Sequence, residues 1–148
     1  MAMTMQRHGR LLLGVHNAIA PTDTEWDAWL ALASERAGQD LRTIVEVYGA
    51  VGPSARQRNA MTLVLGGLDP RTAVMSDSML VRGVVTAVKW SGIPIAAFSP
   101  GKYHAAGRYL ELTPDELSLA RSELETLRQA AGVHSVPRAR SHLPSTPS

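Results

Sequence analysis

Residues 72–98 read TAVMSDSMLVRGVVTAVKWSGIPIAAF, and whether Met79–Trp90 within them is strand or helix decides the fold. Val81, Val84, Val85, Thr86 and Val88 are β-branched and Gly83 is a poor helix former, so local propensity accepts a strand. Spacing decides for a helix: Arg82, Thr86 and Lys89 fall on one face and Leu80, Val84, Ala87 and Ser91 on another. Ser76-Asp77-Ser78 supplies N-cap candidates, and Gly92 ends the helix. Thr72–Met75 before it and Ile93–Phe98 after it are apolar runs of strand length, so the stretch is one strand-helix-strand unit.

The same alternation extends in both directions. Upstream, Leu11–Val15 is a short apolar strand, and Thr22 with Glu25 forms a capping box. Trp26, Trp29, Leu30, Ala33 and Ala37 then follow at helical spacing up to Gly38. Leu41–Tyr48 is a strand rich in Val and Ile, Gly49–Pro53 a turn, and Ser54 with Gln57 a second capping box opening a helix that runs to about Gly66. Asp69-Pro70 breaks the chain before Thr72. Downstream, Pro100-Gly101 leads into a short helix through Leu110. Thr113-Pro114-Asp115-Glu116 starts a last helix, with Leu112 and Leu117 as a staple and Leu117, Ala120, Leu124, Leu127 and Ala131 as its stripe to Gly132.

The order βαβαβαβαα implies right-handed crossovers and a small, mostly parallel sheet of four or five strands covered by helices. Residues 1–132 form one α/β domain. Residues 133–148 hold Pro137, Pro144 and Pro147, with Val133, Val136 and Leu143 as almost their only sizeable apolar side chains, and are expected to be a disordered tail.

Composition narrows the function. The chain has 148 residues, 45% of them hydrophobic, and a formal charge of +2, too small for bulk basicity to argue nucleic-acid binding. Residues 53–108 are the basic block, with seven Lys and Arg against two acidic residues. Zero cysteines exclude disulfides, thiolate metal sites and a cysteine nucleophile, and suit a cytoplasmic location. No stretch approaches the roughly twenty apolar residues of a membrane span. Arg7, His8 and Arg10 before Leu11–Val15 imitate an export signal, but His16 and Asn17 cut its apolar core to five residues.

In sheets of this type, ligands and regulatory contacts gather outside the carboxyl ends of the strands. Two loops there run into serine-capped helices, Gly52–Arg56 and Ser76–Leu80. Ser54 and Ser78 lie among free backbone N–H groups, and Arg56, Arg58 and Arg82 follow within a turn or two. An anion or a partner could be held there; the plainer reading makes the serines caps and the arginines solvated. Gly52–Arg56 partly imitates the Gly-x-Ser-x-Gly elbow of serine hydrolases, with His16 or His104 as base and Glu46 or Asp69 as orienting carboxylate, but Arg56 replaces the last glycine and the chain is short for that architecture. His8, His16, His104, His134 and His142 share no metal-ligand spacing, and no phosphate-binding or dinucleotide loop is present, so no cofactor is expected.

The second loop carries a resemblance. Asp77-Ser78 at a strand end, Leu80 near the expected leucine, Gly83 in the helix, the strand Ile93–Phe98 and the short helix ending Leu110-Glu111-Leu112 resemble the STAS family, the anti-sigma-factor antagonists, over residues 70–112. The resemblance implies a regulatory protein-interaction module whose serine, here Ser78 with Ser76 beside it, is phosphorylated by a partner kinase that is also the anti-sigma factor. Met79 departs from the pattern, standing where a second hydroxyl or a glycine would be. STAS domains also begin with extra strands, whereas here Leu11–Val15 passes straight into the Trp26 helix. This suggests a divergent STAS-like or SEC14-like relative, the latter implying a peripheral lipid or small apolar ligand.

Two residues remain. Glu46 shares a strand face with Ile44 and Tyr48, and burial would demand a partner, from Arg42 or a neighbouring helix; an edge strand is the expected solution. Trp26 and Trp29 are expected in the core, with homodimerisation through their helix or the last one as a further option. The reading is a non-catalytic bacterial signalling module contacting a protein partner, with no nucleic acid and no stable membrane insertion.

Overall fold

A computed structural model describes residues 3–34, 40–49, 54–65, 71–90 and 92–133. Its elements are β1 (Met3–His8), β2 (Leu11–His16), α1 (Asp23–Ser34), β3 (Arg42–Val47), α2 (Ala55–Leu65), β4 (Arg71–Met75), α3 (Met79–Trp90), β5 (Ile95–Phe98), α4 (Tyr103–Leu110) and α5 (Pro114–Ala130). The five strands lie side by side in chain order. β2 to β5 are parallel, with Leu13 opposite Ile44, Ile44 opposite Ala73 and Ala73 opposite Ala96, and β1 is antiparallel to β2.

Successive right-handed crossovers stepping in one direction leave their helices on one face. There α1 and α2 pack Trp26, Trp29, Leu30 and Met61 against Leu12, while α3 packs Val81, Val85 and Val88 against Val74 and Ile95. The chain then returns across the other face, where α4 and α5 bury Leu110, Leu124 and Leu127 against Leu11, Leu13, Val15 and Ile44. β2 is buried at every position, as a strand covered on both sides requires.

The helix at Met79–Trp90 forms as its spacing predicts, but inward it turns Val81, Val85 and Val88. Leu80 and Ala87, grouped with Val84 as an apolar face in the sequence, are exposed. The capping boxes at Thr22, Ser54 and Thr113 all close through paired backbone and side-chain hydrogen bonds of 2.9–3.1 Å. β1 is the strand the sequence reading lacks. Gly9, at φ +59°, takes the first central position of a two-residue hairpin turn, the place a type II′ turn reserves for glycine. The Thr4 hydroxyl donates to the Leu127 carbonyl at 3.0 Å, tying this edge strand to α5. The chain therefore does begin with an extra strand before its first helix. Ala37, Gly38, Gly52, Pro53 and Asp69 lie outside the described residues, as does the expected tail from residue 134; Val133 still packs on the core.

Glu46 corrects an expectation. β3 is the central strand, not an edge, and Glu46 is 2% exposed. A neighbouring helix supplies its partner: Arg128 Nη1 of α5 donates to both carboxylate oxygens, at 2.8 and 3.0 Å. The Tyr48 hydroxyl donates to Oε1 at 2.7 Å and the Tyr103 hydroxyl to Oε2. Burial, reinforced by the adjacent carboxylate, pushes both phenols well above their usual range, so they stay protonated donors. At the surface, Arg10 of the hairpin turn grips Glu116 at the start of α5 through two hydrogen bonds of 2.8 Å.

Arg128→Met leaves the Glu46 carboxylate buried without its cation, and is expected to cost about 3–5 kcal/mol in urea unfolding, whereas Glu46→Leu with Arg128→Met loses much less. A loss under about 1 kcal/mol for the single change contradicts this role. The Arg10 guanidinium holds Glu116 down at about 2 against an ordinary 4.5. The ionised pair thus stabilises the fold above pH 4.5, and that contribution is lost as pH falls from 4.5 through about 2. The stability gap between the parent protein and Arg10→Gln is therefore expected to close over that interval in unfolding curves.

Candidate functional site

Because β2, β3 and β4 are parallel neighbours, the segments leaving them emerge along one rim. Gly49, just past β3, meets the loop after β2 so closely that a Cβ on it would lie 2.6 Å from Ala18 Cα. Ser54 is exposed at the start of α2, its hydroxyl oxygen accepting from the Gln57 N–H at 3.1 Å. Ser76, Asp77 and Ser78 join β4 to α3. Ser76 is 1% exposed, its Oγ accepting from the Ser78 N–H at 3.0 Å and its own N–H donating to the Phe98 carbonyl. Ser78 is half-buried and caps α3, accepting from the Val81 N–H at 3.3 Å; Asp77 is exposed. Met79 and Leu80 follow at 84% and 57% exposure, and Ile19 after β2 is exposed too.

The basic residues singled out in the sequence do not share one target. Arg56 pairs with Asp23 at the start of α1 at 2.9 Å, and Gln57 holds the other oxygen of the same carboxylate. Arg82 reaches the Ser99 hydroxyl beyond β5 at 3.3 Å. Arg58 is half-buried on α2. The hydrolase constellation is likewise not assembled among the described residues: Ser54 bonds within its cap, Glu46 is held by Arg128, and His104 is exposed on α4, across the sheet from α2. No three His, Asp or Glu side chains among the described residues group for a metal.

Beneath the rim, on the α1–α3 side, lies a cavity of about 90 Å³ walled by Val47 and Val74 of the sheet, Trp29, Met61, and Val81 and Val85 of α3. His16, Trp26, Trp29 and Thr72 are the residues of this lining that carry side-chain N or O atoms. His16, the last residue of β2, is 4% exposed. Its Nδ1 lies 3.1 Å from the Asn17 carbonyl, a contact that requires the proton on Nδ1 and leaves Nε2 a bare acceptor. Trp26, in the first turn of α1, is 8% exposed and carries a donor, Nε1–H; the two rings are 6.5 Å apart. Neither His16 Nε2 nor Trp26 Nε1 has a hydrogen-bond partner among the described residues. Each such orphan costs about 1–3 kcal/mol of desolvation.

His16 entered the sequence reading only as a base for Ser54, and Trp26 only as core. Neither residue's spacing signals their meeting, which follows from the loop that folds α1 back over the end of β2. No family model, curated protein or solved structure matches the chain.

Burial pushes the His16 imidazole below its ordinary 6.5, with the Asn17 carbonyl and the Glu25 carboxylate opposing the shift. Above pH 6.5 both folded and unfolded chains hold it neutral; below, the unfolded chain takes up a proton the folded one refuses, so stability falls. His16→Leu is expected to be less sensitive to acidification from pH 7 to 5 than the parent in thermal unfolding. Parallel curves for the two proteins contradict a neutral, buried His16.

Proposed function

We propose that the chain is a non-catalytic, cytoplasmic regulatory module of STAS-like character that docks a protein partner on the carboxyl rim of its sheet. The observation that carries this reading is the exposure of Met79 and Leu80, two large apolar side chains presented side by side directly after Asp77 and Ser78. Adjacent apolar side chains left in water beside a chargeable hydroxyl suit a protein contact better than they suit the stability of a lone chain. Among the described residues no helix is long and apolar enough to cross a membrane.

Ser78 is the switch in this reading. A phosphate on it adds nearly two negative charges at the start of α3, beside Asp77 and one turn before Arg82. Ser76, enclosed by its own hydrogen bonds, is excluded as a substrate while the loop is folded. The supporting features are the β1–β2 hairpin before α1 and the serine-capped turn at the start of α3.

A second reading, a small apolar-ligand module of the SEC14-like kind, is favoured by the cavity. Its volume of about 90 Å³, below the roughly 150 Å³ of a cavity that holds benzene, suits a very small molecule and not an acyl chain.

A photo-cross-linking residue at position 80, introduced in the native cell, is expected to trap a discrete protein partner that the same group at Trp90 does not trap. Leu80→Asp is expected to weaken capture of that partner at least tenfold. Phosphosite mapping is expected to find Ser78 modified and Ser76 not. Equal trapping from both positions, with Ser78 unmodified, contradicts the proposal.

A further inference from the structure

We infer that the cleft between α4 and α5 binds a small phosphate monoester with an apolar body, its phosphate held between Arg108 and Arg121. The cleft lies on the opposite face of the sheet from α3, so the inference stands independently of the rim and of the α1–α3 cavity.

α4 and α5 form a helical hairpin joined by residues 111–113, and each turns one stripe towards the other. Positions 104, 107, 108 and 111 face positions 114, 117, 118 and 121, spaced three and four apart as one side of a helix requires. The cleft between the stripes measures about 510 Å³, within the roughly 300–1,000 Å³ of small-molecule sites. Its buried and half-buried residues, Gly107, Leu112 and Leu117, are apolar and form the floor. Gly107 lets the helices approach there, since a Cβ on it would lie 3.2 Å from Leu117 Cδ2. The exposed residues around this floor include His104, Arg108, Ser118 and Arg121, which supply N–H and hydroxyl groups.

The two arginines give the cleft its charge. The Arg121 guanidinium carbon lies 5.4 Å from the centroid of the Tyr103 ring, and Tyr103 is itself buried and bonded to Glu46, so Arg121 rests on a fixed surface. Arg108 follows Tyr103 by five residues, about 7.5 Å along α4. Neither guanidinium has a carboxylate partner among the described residues, and α4 holds no acidic residue. Glu111, the carboxylate of the lining, is engaged by Arg71 at 3.3 Å. A phosphate set between the arginines accepts charge-assisted bonds of about 2.7–2.9 Å from both sides, and its charge of nearly two matches theirs. A carboxylate, with one charge and two oxygens, answers one arginine and leaves the other unmatched. The apolar floor then buries the substituent on the phosphate, a contact that inorganic phosphate lacks.

Phenyl phosphate, benzoate and inorganic phosphate separate these terms. Each is titrated into the full-length protein at neutral pH and physiological salt, with the Gly107 amide, the Leu117 methyls and the Nε–H signals of Arg108 and Arg121 followed by NMR. Phenyl phosphate is expected to shift these signals saturably and to bind about tenfold or more tightly than either of the others. Arg108→Gln and Arg121→Gln, both changes at exposed positions, are each expected to weaken it about tenfold or more. Lys89→Gln removes the same charge from exposed α3 across the sheet, and is expected to leave the affinity within about twofold. Ser118→Asp, which sets a carboxylate in the cleft, is expected to abolish binding. Equal affinity for benzoate overturns the phosphate assignment, and equal affinity for inorganic phosphate overturns the apolar body. A phosphotyrosine peptide that binds about tenfold or more tightly than phenyl phosphate overturns the small-molecule assignment in favour of a protein partner. Absence of saturable shifts with phenyl phosphate, or a loss for Lys89→Gln as large as for the arginines, overturns the inference.

Discussion

A carboxylate at the centre of a five-stranded sheet is tolerable only if a cation is delivered to it, and the Glu46–Arg128 pair is the constraint around which this chain is arranged. Arg128 lies 82 residues after Glu46, on the last helix, so the pair is met only when the whole sheet has formed and α5 has crossed its face. The hydroxyls of Tyr48 and Tyr103 complete the shell, the second binding α4 into the same arrangement. Slipping β3 by one residue would swing Glu46 to the opposite face, among the valines of α3, without Arg128. The ion pair therefore selects register and helix placement more than it adds net stability.

The two sides of the sheet are consequently unlike. The α4–α5 side is filled by long side chains, with Leu11, Leu13, Ile44, Leu110 and Leu124 all buried around the locked carboxylate. The α1–α3 side closes with Val74, Val81, Val85 and Val88, whose short branched side chains do not fill the space between sheet and helices. Helix α3 belongs to both candidate regions. Its first residues, Met79 and Leu80, stand in solvent at the rim, and Val81 and Val85, immediately behind them, line the cavity.

Much of this was legible in the residues, because the signals were local. Three capping boxes placed the starts of α1, α2 and α5, and helical spacing overrode the strand propensity of α3, although the face read as apolar, Leu80, Val84 and Ala87, is not the face that is buried. What escaped depended on contacts far apart in the chain. β1 is half polar and is a strand because Leu11–His16 pairs with it and Thr4 reaches Leu127. α3 offers two apolar stripes one residue apart, and only the sheet beneath it chooses Val81 over Leu80. Glu46 gave notice that it needed a partner but not which one. The serines of the rim were visible as caps, whereas the meeting of His16 with Trp26 depends on the course of a loop that no spacing encodes.

The central claim is that the sheet's α1–α3 face encloses a neutral histidine whose outer nitrogen is an unprotonated acceptor. The most direct measurement is the pair of imidazole ¹⁵N chemical shifts of His16 in the ligand-free protein, followed from pH 8 to pH 5. The account predicts a protonated Nδ1 and a pyridine-type Nε2 that persist below pH 6.5, the ordinary midpoint for a histidine. A proton on Nε2 at neutral pH, or a midpoint at or above 6.5, would contradict it.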